Sequence, residues 1–201
     1  MNPKLIVEQK ITAFVNKYAV YGANPDGSKA GLIAFVQQKR FAFKEKVSFY
    51  SDTSKTQLLF TFRAEKVLDV HGRYFVEDAN GQLIGSFRKQ FGKSLLNSTW
   101  NILDTSDTPY ITVRESNQFL AIFRRFCGFI PYLGDLAELI VLLFRYHFVF
   151  LDNNGAEAGR YQKTTLIRDH YRLDMTDEAY QATDWRVLAA MAVALDALQS
   201  R

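Results

Sequence analysis

The run Asp184-Trp185-Arg186-Val187-Leu188-Ala189-Ala190-Met191-Ala192-Val193-Ala194-Leu195-Asp196 decides how the rest of this chain is read. From Val187 to Leu195 it is an unbroken apolar stretch of good helix formers. Thr183 or Asp184 can serve as N-cap, and Asp184 also favours the positive end of the helix dipole. Asp196, Gln199 and Arg201 close the segment. A helix that is apolar on every side must be covered on every side. A bilayer span needs about 20 apolar residues, so the cover has to come from the protein itself. The many alanines keep the helix thin enough to thread a narrow space, and the pattern predicts a helix over 184–199 buried inside the molecule.

Upstream, the chain supplies the wall for such a space. From Tyr18 to about Asp78 apolar and polar residues alternate, as in Phe41-Ala42-Phe43, Val47-Ser48-Phe49, Leu58-Leu59-Phe60-Thr61-Phe62 and Tyr74-Phe75-Val76. This is the pattern of half-buried antiparallel strands. Turn signals separate the runs at Asn24-Pro25-Asp26-Gly27, Ser51-Asp52-Thr53-Ser54, His71-Gly72 and Asn80-Gly81. Further β stretches are predicted over 95–103, around Trp100, and over 110–114. A repeat is the most informative feature: Asp78-Ala79-Asn80-Gly81-Gln82-Leu83-Ile84-Gly85-Ser86-Phe87-Arg88-Lys89 aligns with Asp152-Asn153-Asn154-Gly155-Ala156-Glu157-Ala158-Gly159-Arg160-Tyr161-Gln162-Lys163. Each copy follows an aromatic-rich strand and reads as a hairpin whose Asn-Gly tip provides the positive φ of a tight turn. The second glycines, Gly85 and Gly159, fall within strands, where a missing side chain marks a bulge or bend.

A β-rich chain that ends in a thin, all-round apolar helix implies a closed barrel with the helix along its axis. The 201 residues, 48% hydrophobic and 14% aromatic with 4 Pro, suit one packed domain spanning 1–201 and exclude disordered and collagen-like classes. Lys+Arg 25 against Asp+Glu 21 leaves a mild excess of +4, which permits contact with phosphates or anionic lipid without demanding it. Cys127 is the one cysteine, so neither an intramolecular disulfide nor a cysteine-based zinc site can form within the chain. With Glu8 where a signal peptide would be apolar, the expected location is the cytoplasm, with room for a peripheral position at the inner membrane surface.

The chain resembles the tubby C-terminal-like superfamily, in particular its LURP-one-related branch and the related phospholipid scramblases. The resemblance is carried by Lys39-Arg40-Phe41-Ala42-Phe43-Lys44-Glu45-Lys46-Val47-Ser48-Phe49-Tyr50, by Val67-Leu68-Asp69 leading into Asp78-Ala79-Asn80-Gly81 and Arg88-Lys89, and by the helix Val187–Leu195. It covers residues 17–199 and implies a closed antiparallel β-barrel of about twelve strands around a buried hydrophobic C-terminal helix. It also implies a membrane-associated or regulatory role without enzymatic activity. Two features of scramblases are missing. The segment Asp174-Met175-Thr176-Asp177-Glu178 lacks the central glycine and alternating oxygen ligands of a calcium loop, and there is no cysteine cluster for acylation. The stretch 116–145 is longer than the family core requires and reads as an insertion.

Motifs for catalysis are scarce. His71, His147 and His170 are far apart and stand in no metal-ligand spacing. Gly92-Lys93-Ser94 imitates the end of a phosphate-binding loop, but Phe87 occupies the position of its first glycine. The pair Asp174 and Asp177 reads as solvated loop charge. No cofactor, no metal and no nucleic-acid partner are expected.

Two regions read as binding surfaces. The first is basic: Lys39, Arg40, Lys44 and Lys46, with Arg88, Lys89 and Lys93 as a second group. Each cation near an anionic membrane contributes about 1 kcal/mol, and the alternative is ordinary solvated charge on a barrel exterior. The second is the insertion, where Phe119, Ile122, Phe123 and Phe126 fall on one helical face beside Leu120, Arg124 and Arg125. An aromatic face bordered by arginines suits a membrane interface. The same face would serve as core packing for a helical subdomain or as the contact of a protein partner. Asp135 and Glu138 interrupt the apolar run that follows, so no transmembrane span is expected. Together with the resemblance, these features point to a non-enzymatic module binding anionic phospholipid or phosphoinositide headgroups at a membrane surface, the alternative being a structural or regulatory protein–protein adaptor.

Overall fold

The computed structural model describes residues 1–11, 15–39, 46–65, 72–90, 99–116, 147–165 and 169–199. Twelve strands follow one another: β1 (Asn2–Ile11), β2 (Val15–Ala23), β3 (Lys29–Lys39), β4 (Lys46–Tyr50), β5 (Leu58–Ala64), β6 (Arg73–Asp78), β7 (Leu83–Gln90), β8 (Thr99–Leu103), β9 (Pro109–Glu115), β10 (His147–Leu151), β11 (Glu157–Lys163) and β12 (Asp169–Met175). Each pairs antiparallel with its sequence neighbours, and β1 pairs with β12 to close the barrel, with Val7 opposite Tyr171 and Leu5 opposite Leu173. A short helix, α1 (Asp177–Gln181), then leads into α2 (Trp185–Gln199). The expected architecture, a closed antiparallel barrel around a C-terminal helix, is the one found.

Alternation along the strands explains the core. Leu5 and Val7, Phe60 and Phe62, Tyr74 and Val76, Trp100 and Ile102, and Ile111 and Val113 all turn inward and are buried. They meet α2, in which every residue from Val187 to Leu195 is at most 1% exposed. With no polar face, α2 has no reason to lie at a surface, and closure of the sheet around it leaves no unpaired strand edge at the β1–β12 seam. Asp184 is the N-cap: its Oδ1 accepts from the Arg186 amide at 2.8 Å, and its carbonyl accepts from Val187 at 3.0 Å.

The repeat marks two equivalent distortions. The ladder shifts register where Val76 faces Gly85 and Glu77 faces Leu83, and again where Phe150 faces Gly159 and Leu151 faces Glu157. A bulge therefore precedes each glycine, and both glycines face inward at points of close approach.

Two segments differ from their sequence reading. Asn2–Ile11, read as no element, is a full strand that closes the barrel. Asp174, read as loop charge, lies in β12 and is 9% exposed, held by Arg172 at 2.9 Å and by Gln162 at 3.3 Å. Asp177, by contrast, is exposed and pairs with Lys4. The insertion proper, Asn117 to Arg145, lies outside the described residues. Among those described, no helix is long and apolar enough to cross a membrane.

Candidate binding rim

Because every strand reverses the one before it, the connections divide between two ends of the barrel. One end carries the turns between β2 and β3, β4 and β5, β6 and β7, β8 and β9, and β10 and β11, together with α1 and the start of α2. At the other end, here called the rim, β3 finishes at Lys39 and β4 begins at Lys46, β7 finishes at Gln90 and β8 begins at Thr99, and β9 finishes at Glu115 and β10 begins at His147. The strand ends that flank both basic groups and the insertion therefore share the rim.

The turn end is built from one local device used repeatedly. Asp78 Oδ1 accepts from the amides of Asn80 and Gln82, each at 2.8 Å; Asp152 Oδ1 accepts from Asn154 and Ala156, each at 2.8 Å; Asp104 Oδ1 accepts from Ser106 at 2.8 Å and Thr108 at 2.9 Å. In each turn the residue three positions after the aspartate has positive φ: Gly81 at 82°, Gly155 at 78° and Asp107 at 67°. The carboxylate replaces the partners that the turn's amides would otherwise seek from water. This end is also acidic. Asp26, Asp52, Asp104, Asp107, Asp152, Asp177, Glu178 and Asp184 lie in its connections, where Lys55 is the one basic residue; Lys4, Lys29, Arg160 and Arg186, on the strand and helix starts beside them, are each ion-paired, with Asp177, Glu8, Glu157 and Asp184.

Cations gather at the opposite end. Lys10, Lys17, Lys46, Arg63, Arg88 and Arg114 stand on strand segments near the rim, where Glu65, Glu115 and Asp169, the last paired with Lys163, are the nearest acids by strand position among the described residues. Arg63 is paired with Glu77 at 2.8 Å, whereas Lys10, Lys17, Arg88 and Arg114 form no ion pair with any described residue. Of the basic residues singled out in the sequence, Lys46 is exposed on the outer face of β4. Arg88 is on the outer face of β7, opposite Arg73. Lys89 takes the inward side shared by Gly85 and Phe87, and its ammonium lies 5.7 Å from the centroid of the Trp100 ring. Strand alternation thus separates Arg88 from Lys89. Lys39 ends β3. Arg40, Lys44, Lys93, Phe119, Ile122, Phe123, Arg124, Arg125 and Phe126 lie outside the described residues.

Just inside the rim is a polar cluster that the sequence reading did not identify. Asp196, near the C-terminal end of α2, accepts hydrogen bonds from the hydroxyls of Tyr18 on β2, at 2.8 Å, and Tyr171 on β12. Tyr18 in turn accepts from Gln9 Nε2 at 2.8 Å. Tyr161 on β11 stacks on Tyr171 with centroids 5.3 Å apart and planes at 16°. Its hydroxyl is buried without a hydrogen-bond partner among the described residues. Burial pushes the Asp196 carboxyl above its ordinary range, and the two tyrosine hydroxyls only partly oppose this. Burial, with the nearby Asp196 charge, likewise raises Tyr18 and Tyr161. The signal was parity: Tyr18, Tyr161 and Tyr171 each occupy an inward strand position beside apolar neighbours.

No grouping of three or more histidine, cysteine or acidic side chains suited to a metal ion occurs among the described residues. Of the three histidines, His170 lies 3.7 Å from Glu8 and His147 begins β10, while His71 lies outside the described residues.

Among curated proteins and solved structures, nothing matches the chain. The family model described as LURP-one-related matches residues 32–196, a span that runs from β3 to the half-buried aspartate of α2. With that match over most of its length, and with a helix-filled twelve-strand barrel beneath it, the chain belongs to the LURP-one-related family, whose context is the tubby-like superfamily.

Proposed function

We propose that the protein is a non-enzymatic module that binds anionic phospholipid headgroups, phosphoinositides among them, at a membrane surface, with the rim as its contact face. The observation that carries this reading is the polarity of the barrel: Lys10, Lys17, Arg88 and Arg114, which form no ion pair with any described residue, stand near the rim, and acidic turns occupy the opposite end. A field of this sense turns the rim toward an anionic surface and the turn end away from it. Family membership supports a lipid-binding type of domain, and the insertion adds apolar area that leaves and re-enters the sheet at the same rim.

Sedimentation with vesicles of neutral phosphatidylcholine, of phosphatidylcholine with phosphatidylserine, and of phosphatidylcholine with a phosphoinositide tests it. Binding is expected to the two anionic compositions. Lys46→Glu with Arg88→Glu is expected to weaken it most at low salt, since the screening length falls to about 8 Å at physiological ionic strength. Asp52→Lys with Asp152→Lys, at the far end, is expected to leave it intact. Replacing Phe119, Phe123 and Phe126 with serine is expected to weaken binding in a salt-independent way, because each buried aromatic contributes roughly 1.5–3 kcal/mol; melting of the same variants separates this from unfolding. No preference for anionic vesicles at low salt would overturn the reading and leave the protein–protein adaptor in its place.

A further inference from the structure

The apolar run of α2 carries little side-chain contrast along its length. Its surface is a near-uniform alternation of alanine with larger aliphatic side chains, and moving it along the barrel axis by one turn, about 5.4 Å, sets Met191 where Val187 stood and Leu195 where Met191 stood. Rotation meets the same degeneracy, since Ala189, Ala190, Ala192 and Ala194 offer similar small surfaces to every wall. The first turn is seated by Val187 at Gly85 and by Trp185 against Phe60; toward Leu195 dispersion and burial alone offer little choice of rotation or depth, just as an all-apolar coiled-coil seam leaves register open until one buried polar residue fixes it.

Asp196 supplies the missing choice. It is the one charged residue of α2 beyond the first turn, and it is reached from two walls at once, by Tyr18 of β2 and Tyr171 of β12, with Gln9 of the intervening β1 holding Tyr18. These strands straddle the β1–β12 junction that closes the barrel. Displacing α2 by one turn would break both hydrogen bonds to the half-buried carboxylate, a cost that a shift between similar apolar contacts does not repay. The Tyr161 hydroxyl, buried beside this group with no hydrogen-bond partner among the described residues, adds a third polar atom to the same corner. A buried polar group is also a poor stabiliser compared with an apolar side chain of the same shape, so stability does not account for it.

We propose that Asp196, with Tyr18, Tyr171 and Tyr161, is a register pin that sets the depth and rotation of the central helix and so holds the rim ends of β1, β2, β11 and β12 in a single arrangement. The inference does not depend on what the rim binds.

The test uses the full chain with Tyr18→Phe, Tyr171→Phe and Asp196→Leu combined, which removes donors and acceptor together. This variant is expected to unfold in urea at a midpoint equal to or above that of the unaltered protein. Its α2 amides are expected to show doubled or broadened NMR signals and hydrogen exchange at least tenfold faster. A single sharp set of α2 signals with unchanged exchange would overturn the proposal. Should the triple variant not fold, Tyr171→Phe alone breaks one arm of the pin and is read in the same way: doubled α2 signals support it, and an unaltered single set overturns it.

Discussion

A methyl group on Gly85 would stand 2.9 Å from Cγ2 of Val187, so the side chain missing from β7 is the space into which the first turn of α2 fits. Gly159 has the equivalent role toward β12, where a Cβ would come within 2.8 Å of the Asp174 carbonyl oxygen and 2.9 Å of Met175 Cγ. The two glycines of the repeat are thus clearance for close packing and not a ligand cradle.

Gly85→Ala and Gly159→Ala are each expected to destabilise the fold by about 1–3 kcal/mol, the usual cost of overpacking a filled interior. Gly159→Ala should cost more, because its nearest obstacle, at 2.8 Å, is a backbone oxygen, whereas that of Gly85 is a side-chain methyl at 2.9 Å and the Leu103 carbonyl stands off at 3.3 Å. Gly31→Ala, with nothing within 4 Å and no positive φ, is the control, expected to be neutral or to stabilise by up to about 1 kcal/mol. Urea midpoints of the three variants check the order.

The aspartate-capped turns lend themselves to an additive series. Asp78→Ala, Asp104→Ala and Asp152→Ala each remove an acceptor for two backbone amides, at an expected cost of about 1 kcal/mol apiece. The turns share no hydrogen-bond partner, so the triple variant should lose close to the sum of the three. A triple variant no less stable than the worst single one would count against independent caps.

Acid stability should show two opposed contributions. Asp26, beside Ser28, Asp52, beside Ser54 and Ser51, Glu157, beside Arg160, and Asp177, beside Lys4, all lie below the ordinary carboxylate range. So does Asp184, where burial pushes upward but the Arg186 side chain and amide outweigh it. Their folded values are below the unfolded ones, so their stabilisation is present above the ordinary carboxylate range and is lost as pH falls through the folded values. Asp196 has the reverse sign. Its folded value is raised, so its contribution is largest in acid and declines as pH rises from the ordinary carboxylate value to the folded one. The groups around it are Gln9 of β1, Tyr18 of β2, Tyr161 and Lys163 of β11, and Tyr171 and Asp169 of β12. Urea midpoints from about pH 3 to about pH 7 should therefore climb more steeply for Asp196→Asn than for the unaltered protein.

What could be read in advance follows from how local each signal is. The helix was legible from Val187–Leu195 alone, because an apolar run without a polar face has one physical outcome. The hairpins at Asn80-Gly81 and Asn154-Gly155 were legible because their glycines announce positive φ. The related turn at Asp104 escaped notice because Asp107 adopts the same backbone conformation without a glycine to signal it. Strand β1 escaped because its evidence is its pairing with β12 at the other end of the chain. Asp196 was taken as the polar end of the helix, since its tyrosine partners are distant in sequence and converge only when the barrel closes. The two regions proposed to bind stood out as composition, but that their flanking strand ends share one rim emerged only from counting strand reversals.

The alternation of strand direction has an evolutionary corollary. One end of the barrel is committed to its sequence, because each of its short turns depends on a particular aspartate and a positive-φ residue to preserve the register of the strands it joins. The other end receives segments as long as the one between Glu115 and His147 while the strands around it keep their pairing. Lengthening a surface connection costs little, about 0.6 kcal/mol per doubling. Selection can therefore rewrite the rim, segment by segment, on a foundation laid at the opposite pole.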